Sequence, residues 1–84
     1  MTIDLSRLVS LAERGYAPDL ATARAAIDAG RLYDVDTQGA GGDCVIDSDS
    51  AEEALEEVAA HCGLSEVPNW WTATRLTAIR EVSA

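Results

Sequence analysis

Apolar residues near the start of the chain recur at the spacing of one helical face. The first such run covers residues 4–14, begins at the candidate N-cap Asp4 and ends before Gly15. The second run covers residues 18–30 and closes at Gly30. The pattern therefore predicts two short helices, and the short link between them favours an antiparallel or angled pair.

The pattern then changes to alternation on both sides of the glycine-rich segment Thr37–Gly42. Tyr33 and Val35 share one face of the first alternating run, and Cys44 and Ile46 share one face of the second. This predicts a β-hairpin with these four side chains turned inward. Its opposite face is expected to present aspartates to solvent, with only Leu32 and Val45 between them: Asp34, Asp36, Asp43 and Asp47.

A third helix is predicted after the hairpin, with Ser50 as N-cap, Glu53 completing a capping box, and Gly63 at the end. Its apolar residues form one stripe, and its outer face holds four acids without a base four residues away: Glu52, Glu53, Glu56 and Glu57. Aspartates precede this helix, where negative charge suits the helix dipole: Asp47 and Asp49.

A fourth helix is predicted over residues 69–82, with Asn69 as its cap. Neighbouring residues on a helix lie about 100° apart, so Trp70 and Trp71 cannot both be buried. The helical phase places Trp71 in the core and leaves Trp70 exposed, either as a cover for the core or as an anchor for a partner.

The predicted elements follow the order ααββαα and amount to one α+β domain over residues 1–84, with a two-stranded antiparallel hairpin. The chain contains no phenylalanine. Its few bulky apolar residues can fill a small two-layer core but cannot enclose a deep enzyme pocket. No stretch has the length of a membrane span, and the start lacks the features of a signal peptide, so a cytoplasmic location is expected.

The negative charge is concentrated in the middle of the chain. Residues 28–66 hold eleven carboxylates and the single base Arg31, a net charge of −10, whereas the remaining residues carry a net charge of +1. A concentrated field of one sign is typical of solubility pressure or of a partner with the opposite charge. It argues against direct contact with nucleic acid, which needs a basic footprint.

Catalysis and metal binding are not expected from the motifs present. One histidine, without a Gly-x-Ser-x-Gly or phosphate-loop pattern, does not assemble a nucleophile with its base, and no cofactor is predicted. The segment from Asp34 begins like a calcium loop, but Val45 occupies the position of the required glutamate. Cys44, His61 and Cys62 lack zinc-ligand spacing, and both cysteines fall on predicted apolar faces.

A longer pattern supports a resemblance to a known family. The run from Asp19–Leu20–Ala21–Thr22–Ala23–Arg24 to Ala29–Gly30–Arg31–Leu32–Tyr33–Asp34–Val35–Asp36 is followed by a glycine turn, Val45–Ile46–Asp47 and the acidic helix. This arrangement, over residues 19–60, resembles small acidic phage-encoded anti-CRISPR proteins of the type I-E kind. The resemblance implies that carboxylates bind a basic surface of an RNA-guided interference complex.

The sequence thus favours a non-enzymatic acidic binding or inhibitor protein that occupies a basic, nucleic-acid-handling surface, as a possible nucleic-acid mimic. The candidate binding residues are the acids of the hairpin and third helix with one tryptophan: Asp34, Asp36, Asp43, Asp47, Asp49, Glu52, Glu53, Glu56, Glu57 and Trp70. Two alternatives stay open. One is a divalent-cation-binding domain that uses hairpin aspartates, and the other is a small regulatory subunit with an apolar interface around Trp70.

Overall fold

The chain combines three helices with two separate groups of short strands in its described part. The computed structural model describes residues 1–39 and 43–81. In chain order the elements are β1 (Thr2–Asp4), α1 (Leu5–Glu13), α2 (Leu20–Asp28), β2 (Leu32–Asp36), β3 (Cys44–Asp47), α3 (Ala51–His61), β4 (Thr72–Arg75) and β5 (Ala78–Arg80). The predicted α+β class is confirmed, and the first three predicted helices and the hairpin are present.

The central feature is an antiparallel sheet of strand order β3-β2-β4 that is covered on both faces. Leu32 and Val45 pack with α1 and α2 on one face. Tyr33 and Val35 pack with α3 on the other face, together with Trp71. Alternate residues of β2 therefore enter two different apolar clusters, and the domain has three layers rather than the two that its composition predicted.

The second group of strands is a parallel pair, β1 with β5, which the sequence analysis did not predict. Ile3 is 1% exposed and joins the cluster under α1. Asp4 does precede the first helix in an extended conformation, but its side chain makes no capping hydrogen bond. Instead, its carboxylate lies 2.6 Å from the guanidinium of Arg80 on β5.

Local capping explains where the other helices begin. The side chain of Asp19 accepts a hydrogen bond of 2.8 Å from the backbone N–H of Thr22, so α2 begins at Leu20. Ser50 accepts one of 3.2 Å from the backbone N–H of Glu53, which is the N-cap bond of the capping box predicted for α3. These two caps fix the helices that flank the sheet.

The predicted fourth helix over residues 69–82 is wrong. Asn69 lies in a turn, β4 pairs with β2, and β5 pairs with β1. Thr72 and Thr74 are β-branched and alternate along the chain, which suits a strand. β4 also forms backbone hydrogen bonds with the edge of β2 that β3 leaves open, and the spacing of apolar residues cannot reveal such a distant pairing. Trp71 is 6% exposed and Trp70 is 54% exposed, so the prediction that Trp71 is the more buried of the two is confirmed. The helix from which it was derived is not present.

The hairpin has the predicted strands, but one predicted orientation is wrong. Asp34 was expected at the surface and is only 7% exposed, because α1 and α2 cover the face that was assigned to solvent. Asp36 and Asp47 are exposed, and Asp43 is partly buried. The cysteine prediction is also partly wrong, since Cys44 is partly buried but Cys62 is exposed.

Candidate functional site

Arg7 on α1 forms ion pairs with two of the predicted binding aspartates. Its Nη1 donates to Oδ2 of Asp34 at 3.0 Å, and its Nη2 donates to Oδ2 of Asp43 at 2.6 Å. The pKa of Arg7 is raised above its ordinary value, chiefly by the hydrogen bond to Asp34. One guanidinium thus joins β2 to the start of β3, and these two carboxylates serve the fold before they can serve a partner.

Arg31 makes a similar arrangement at the other end of the hairpin. Its Nε donates to Asp47 at 2.9 Å, and its Nη1 donates to Asp49. These two carboxylates raise the pKa of Arg31, and the hydrogen bond to Asp49 has the largest effect. Asp47 and Asp49 are exposed, but each shares the positive charge of one arginine, which weakens the field that they present to solvent.

The four glutamates of α3 form the largest group of candidate acids without an arginine partner in the described part of the chain. Their side chains are exposed, and none forms an ion pair in the described part of the chain: Glu52, Glu53, Glu56 and Glu57. The opposite side of α3 is buried through Ala54, Val58 and Ala59. We call these four glutamates the glutamate face, and they confirm the predicted outer face of this helix.

Asp36 and Trp70 lie near one another at the end of β2. Asp36 accepts a hydrogen bond of 2.8 Å from the backbone N–H of Gln38, and it forms no ion pair within residues 1–39 and 43–81. The side-chain amide of Gln38 donates to the carbonyl oxygen of Trp70 at 3.1 Å. An exposed carboxylate and an exposed indole therefore share this end of the sheet.

The proposed cation ligands are not arranged as a metal site. Arg7 lies between Asp34 and Asp43, so the carboxylates of the calcium hypothesis already bind a cationic side chain. Within the described ranges, no group of three or more histidine, cysteine, aspartate or glutamate side chains is placed to hold a metal ion. Burial raises the pKa of the Cys44 thiol, which further disfavours a metal-binding thiolate.

Sequence reasoning missed Arg7, although the sequence contains a signal for it. Leu32 and Val45 lie on the hairpin face that was assigned to solvent, and two bulky apolar residues there indicate a covered face. A buried carboxylate on a covered face needs a partner, and α1 holds Arg7 close to the sheet. The pairing of Arg31 was missed because only local net charge was counted.

Two further findings concern membrane spans and similarity to known proteins. In the ranges 1–39 and 43–81, no helix has both the length and the apolar character that crossing a membrane requires. The helices that position the site are short, with eleven residues in α3 and nine each in α1 and α2. No protein-family model, curated protein or solved structure matches this chain.

Proposed function

We propose that this chain is a non-enzymatic acidic binding protein that uses the glutamate face to occupy a basic, nucleic-acid-handling surface of a partner. One observation carries the proposal. Asp34, Asp43, Asp47 and Asp49 are each bound by an arginine, whereas the four exposed glutamates of α3 have no arginine partner among residues 1–39 and 43–81. The glutamate face therefore keeps its full negative charge for a partner, whereas the paired aspartates help to hold the fold.

The spacing of these glutamates has an energetic cost that supports a function. Glu52 with Glu56, and Glu53 with Glu57, are like-charge pairs four residues apart on one helix. Each such pair destabilises a helix by roughly 0.2–0.5 kcal/mol, and its Cβ atoms lie about 5–6 Å apart. A regular row of carboxylates at this spacing can replace backbone phosphates at a basic groove. Its main effects would be faster association and rejection of acidic partners.

The choice of a first partner follows from the resemblance to anti-CRISPR proteins of the type I-E kind. An RNA-guided interference complex binds nucleic acid backbones through positively charged channels. A protein with a net charge of −9 would be attracted to such a channel and repelled by free nucleic acid. We therefore propose inhibition by occupation of the channel, within the cytoplasm, without direct contact with nucleic acid.

The experiment compares two variants that change the net charge equally. Glu53→Gln/Glu57→Gln removes two charges from the glutamate face, and Glu13→Gln/Asp28→Asn removes two exposed charges from α1 and α2. Binding to a purified type I-E complex is measured by surface plasmon resonance at about 0.1 M and 1 M salt, where the screening length falls from about 10 Å to 3 Å. We expect the first variant to associate several-fold more slowly and the second to resemble the wild type.

Three results would count against this proposal. Equal association rates for the two variants would mean that only total charge matters. Affinity that does not change with salt would remove the electrostatic mechanism. Absence of binding to the type I-E complex, together with no salt-sensitive capture on any other nucleic-acid-handling complex, would contradict the partner class itself.

A second candidate function is favoured by the exposure of Trp70. This indole is 54% exposed, and Leu64 in the same loop between α3 and β4 is 42% exposed. Tryptophan is enriched among residues that dominate binding energy. A regulatory subunit with an apolar interface would lose its partner on Trp70→Ala, would keep it on Glu53→Gln/Glu57→Gln, and would bind with little dependence on salt.

A further inference from the structure

A groove of about 630 Å³ runs along the outer edge of β3. It opens between the link that joins α1 to α2 and the C-terminal end of α3. Its walls are mainly apolar: Tyr16, Pro18, Val45, Ile46 and Val58. Its volume lies in the range of sites that hold a small ligand or a few side chains of a partner.

The groove does not suit addition of a further β-strand. The outward backbone N–H of Val45 donates to the carbonyl oxygen of Tyr16 at 2.8 Å, so the link between the helices already binds this edge. Strand addition needs a row of free backbone groups, so an occupant would bind here through its side chains.

Negative charge borders the groove on the side of α3. Glu53, Glu57 and His61 follow one another at four-residue spacing on α3, and His61 lines the groove, so the glutamate face ends at its rim. Asp47 also lines the groove, although it shares Arg31 with Asp49. Arg14 lies on the Tyr16 side of the groove, with its guanidinium 5.7 Å from the centre of the Tyr16 ring.

We infer that this groove receives an apolar side chain from a basic segment of the partner. The apolar walls favour burial of an aliphatic group, and the carboxylates along α3 favour arginine or lysine next to it. This inference rests on the proposed function, because the same basic partner would contact the glutamate face first. The groove would then slow dissociation through burial, whereas the glutamates would speed association.

The test uses two short amidated peptides as probes. One has arginines at both ends and leucines between them, and the other has serines in place of the leucines. We expect the wild-type chain to bind the leucine peptide about tenfold more tightly, since burial of one aliphatic side chain corresponds to at least that factor. Backbone amide NMR signals of Tyr16, Ile46 and His61 should shift with the leucine peptide and far less with the serine peptide.

Two substitutions with the same new side chain separate the groove from the helix surface. Cys62→Trp places a large group in the groove, and Ala60→Trp places it at an exposed position of α3 outside the groove lining. Cys62→Trp should abolish the preference for leucine, and Ala60→Trp should leave it unchanged. Circular dichroism verifies that both variants fold, and the NMR shifts of the wild type test the site without any substitution.

The outcomes distinguish this inference from the proposed function. Equal affinity for the two peptides, with binding that still falls in high salt, would overturn the groove and leave the acidic-surface proposal intact. A leucine preference that survives Cys62→Trp, or NMR shifts confined to the glutamate face, would also overturn it. A leucine preference with no dependence on salt or on Glu53→Gln/Glu57→Gln would overturn the basic character of the occupant and the proposed function together.

Discussion

Replacement of Arg7 by methionine should destabilise the fold far more than loss of a surface ion pair. The side chain of Asp34 is only 8% exposed. Its Oδ2 accepts from Arg7, and its buried Oδ1 has no hydrogen-bond partner among the described residues. Arg7→Met therefore leaves a buried carboxylate without its cation, while methionine preserves most of the apolar packing of the side chain.

The expected loss can be estimated from burial. Removal of one partner from a fully buried ion pair costs about 3–5 kcal/mol. The side chain of Arg7 is 36% exposed, so water can reach the vacated position, and we expect a smaller loss of about 2–4 kcal/mol. The total free energy of unfolding for a chain of this length is about 4–13 kcal/mol. The substitution should therefore remove a large fraction of the stability.

Urea unfolding followed by tryptophan fluorescence measures this effect, because the buried indole of Trp71 becomes exposed on unfolding. The matched control is Arg24→Met, which breaks an exposed ion pair with Glu81 and should cost at most about 1 kcal/mol. The double variant Arg7→Met/Asp34→Leu should recover most of the loss, because both charges are then absent. If Arg7→Met lowers the free energy of unfolding no more than Arg24→Met does, water reaches Asp34 and the expected cost of a buried unpaired carboxylate is refuted.

Two further predictions concern single ionisable groups. The hydrogen bond from the Thr22 N–H holds the pKa of Asp19 below its ordinary value, so its stabilising effect exists above the unfolded pKa and is lost as pH falls through the folded one. Asp19→Ala should lower the melting temperature more at neutral pH than in strong acid, where only an uncharged cap is lost. Asp19→Asn should preserve that uncharged cap, and a deficit for Asp19→Ala that is constant at every pH would contradict this. Burial raises the pKa of Cys44, so iodoacetamide should alkylate the exposed Cys62 first, as mapped by mass spectrometry, and equal rates would show that Cys44 is open to solvent.

The elements with their own local signals were predictable from the sequence. Ser50 caps the N-terminus of α3, as its position before an apolar stripe indicated. The glycine-rich segment Thr37–Gly42 separates two paired strands, and the predicted turn lies partly outside the described residues. The exposed glutamates of α3 were also predictable, since the helical period places them opposite the buried alanines. Each of these features depends on residues close together in the chain, where propensity and capping dominate.

The features that depend on distant residues were not predictable in the same way. Helical spacing from Leu76 to Ile79 suggested a helix, but the unpaired edges of β2 and β1 made strands the better structure for this segment. The burial of Asp34 depends on Arg7, which lies 27 positions away on another element. Local charge counts treat such acids as free surface groups, so they could not reveal that arginines bind four of the candidate aspartates.

The parallel pairing of β1 with β5 has a mechanical consequence. Thr2 lies beside Ala78 and Asp4 lies beside Arg80, so the two strands run in the same direction. Tension applied through Met1 and through the residues after Arg80 pulls the strands past one another along their length. Their hydrogen bonds, the burial of Ile3 and the ion pair of Asp4 with Arg80 then resist the load together. An antiparallel hairpin pulled at its open end would instead separate one bond at a time, so this pair acts as a shear clamp across the ends of the fold.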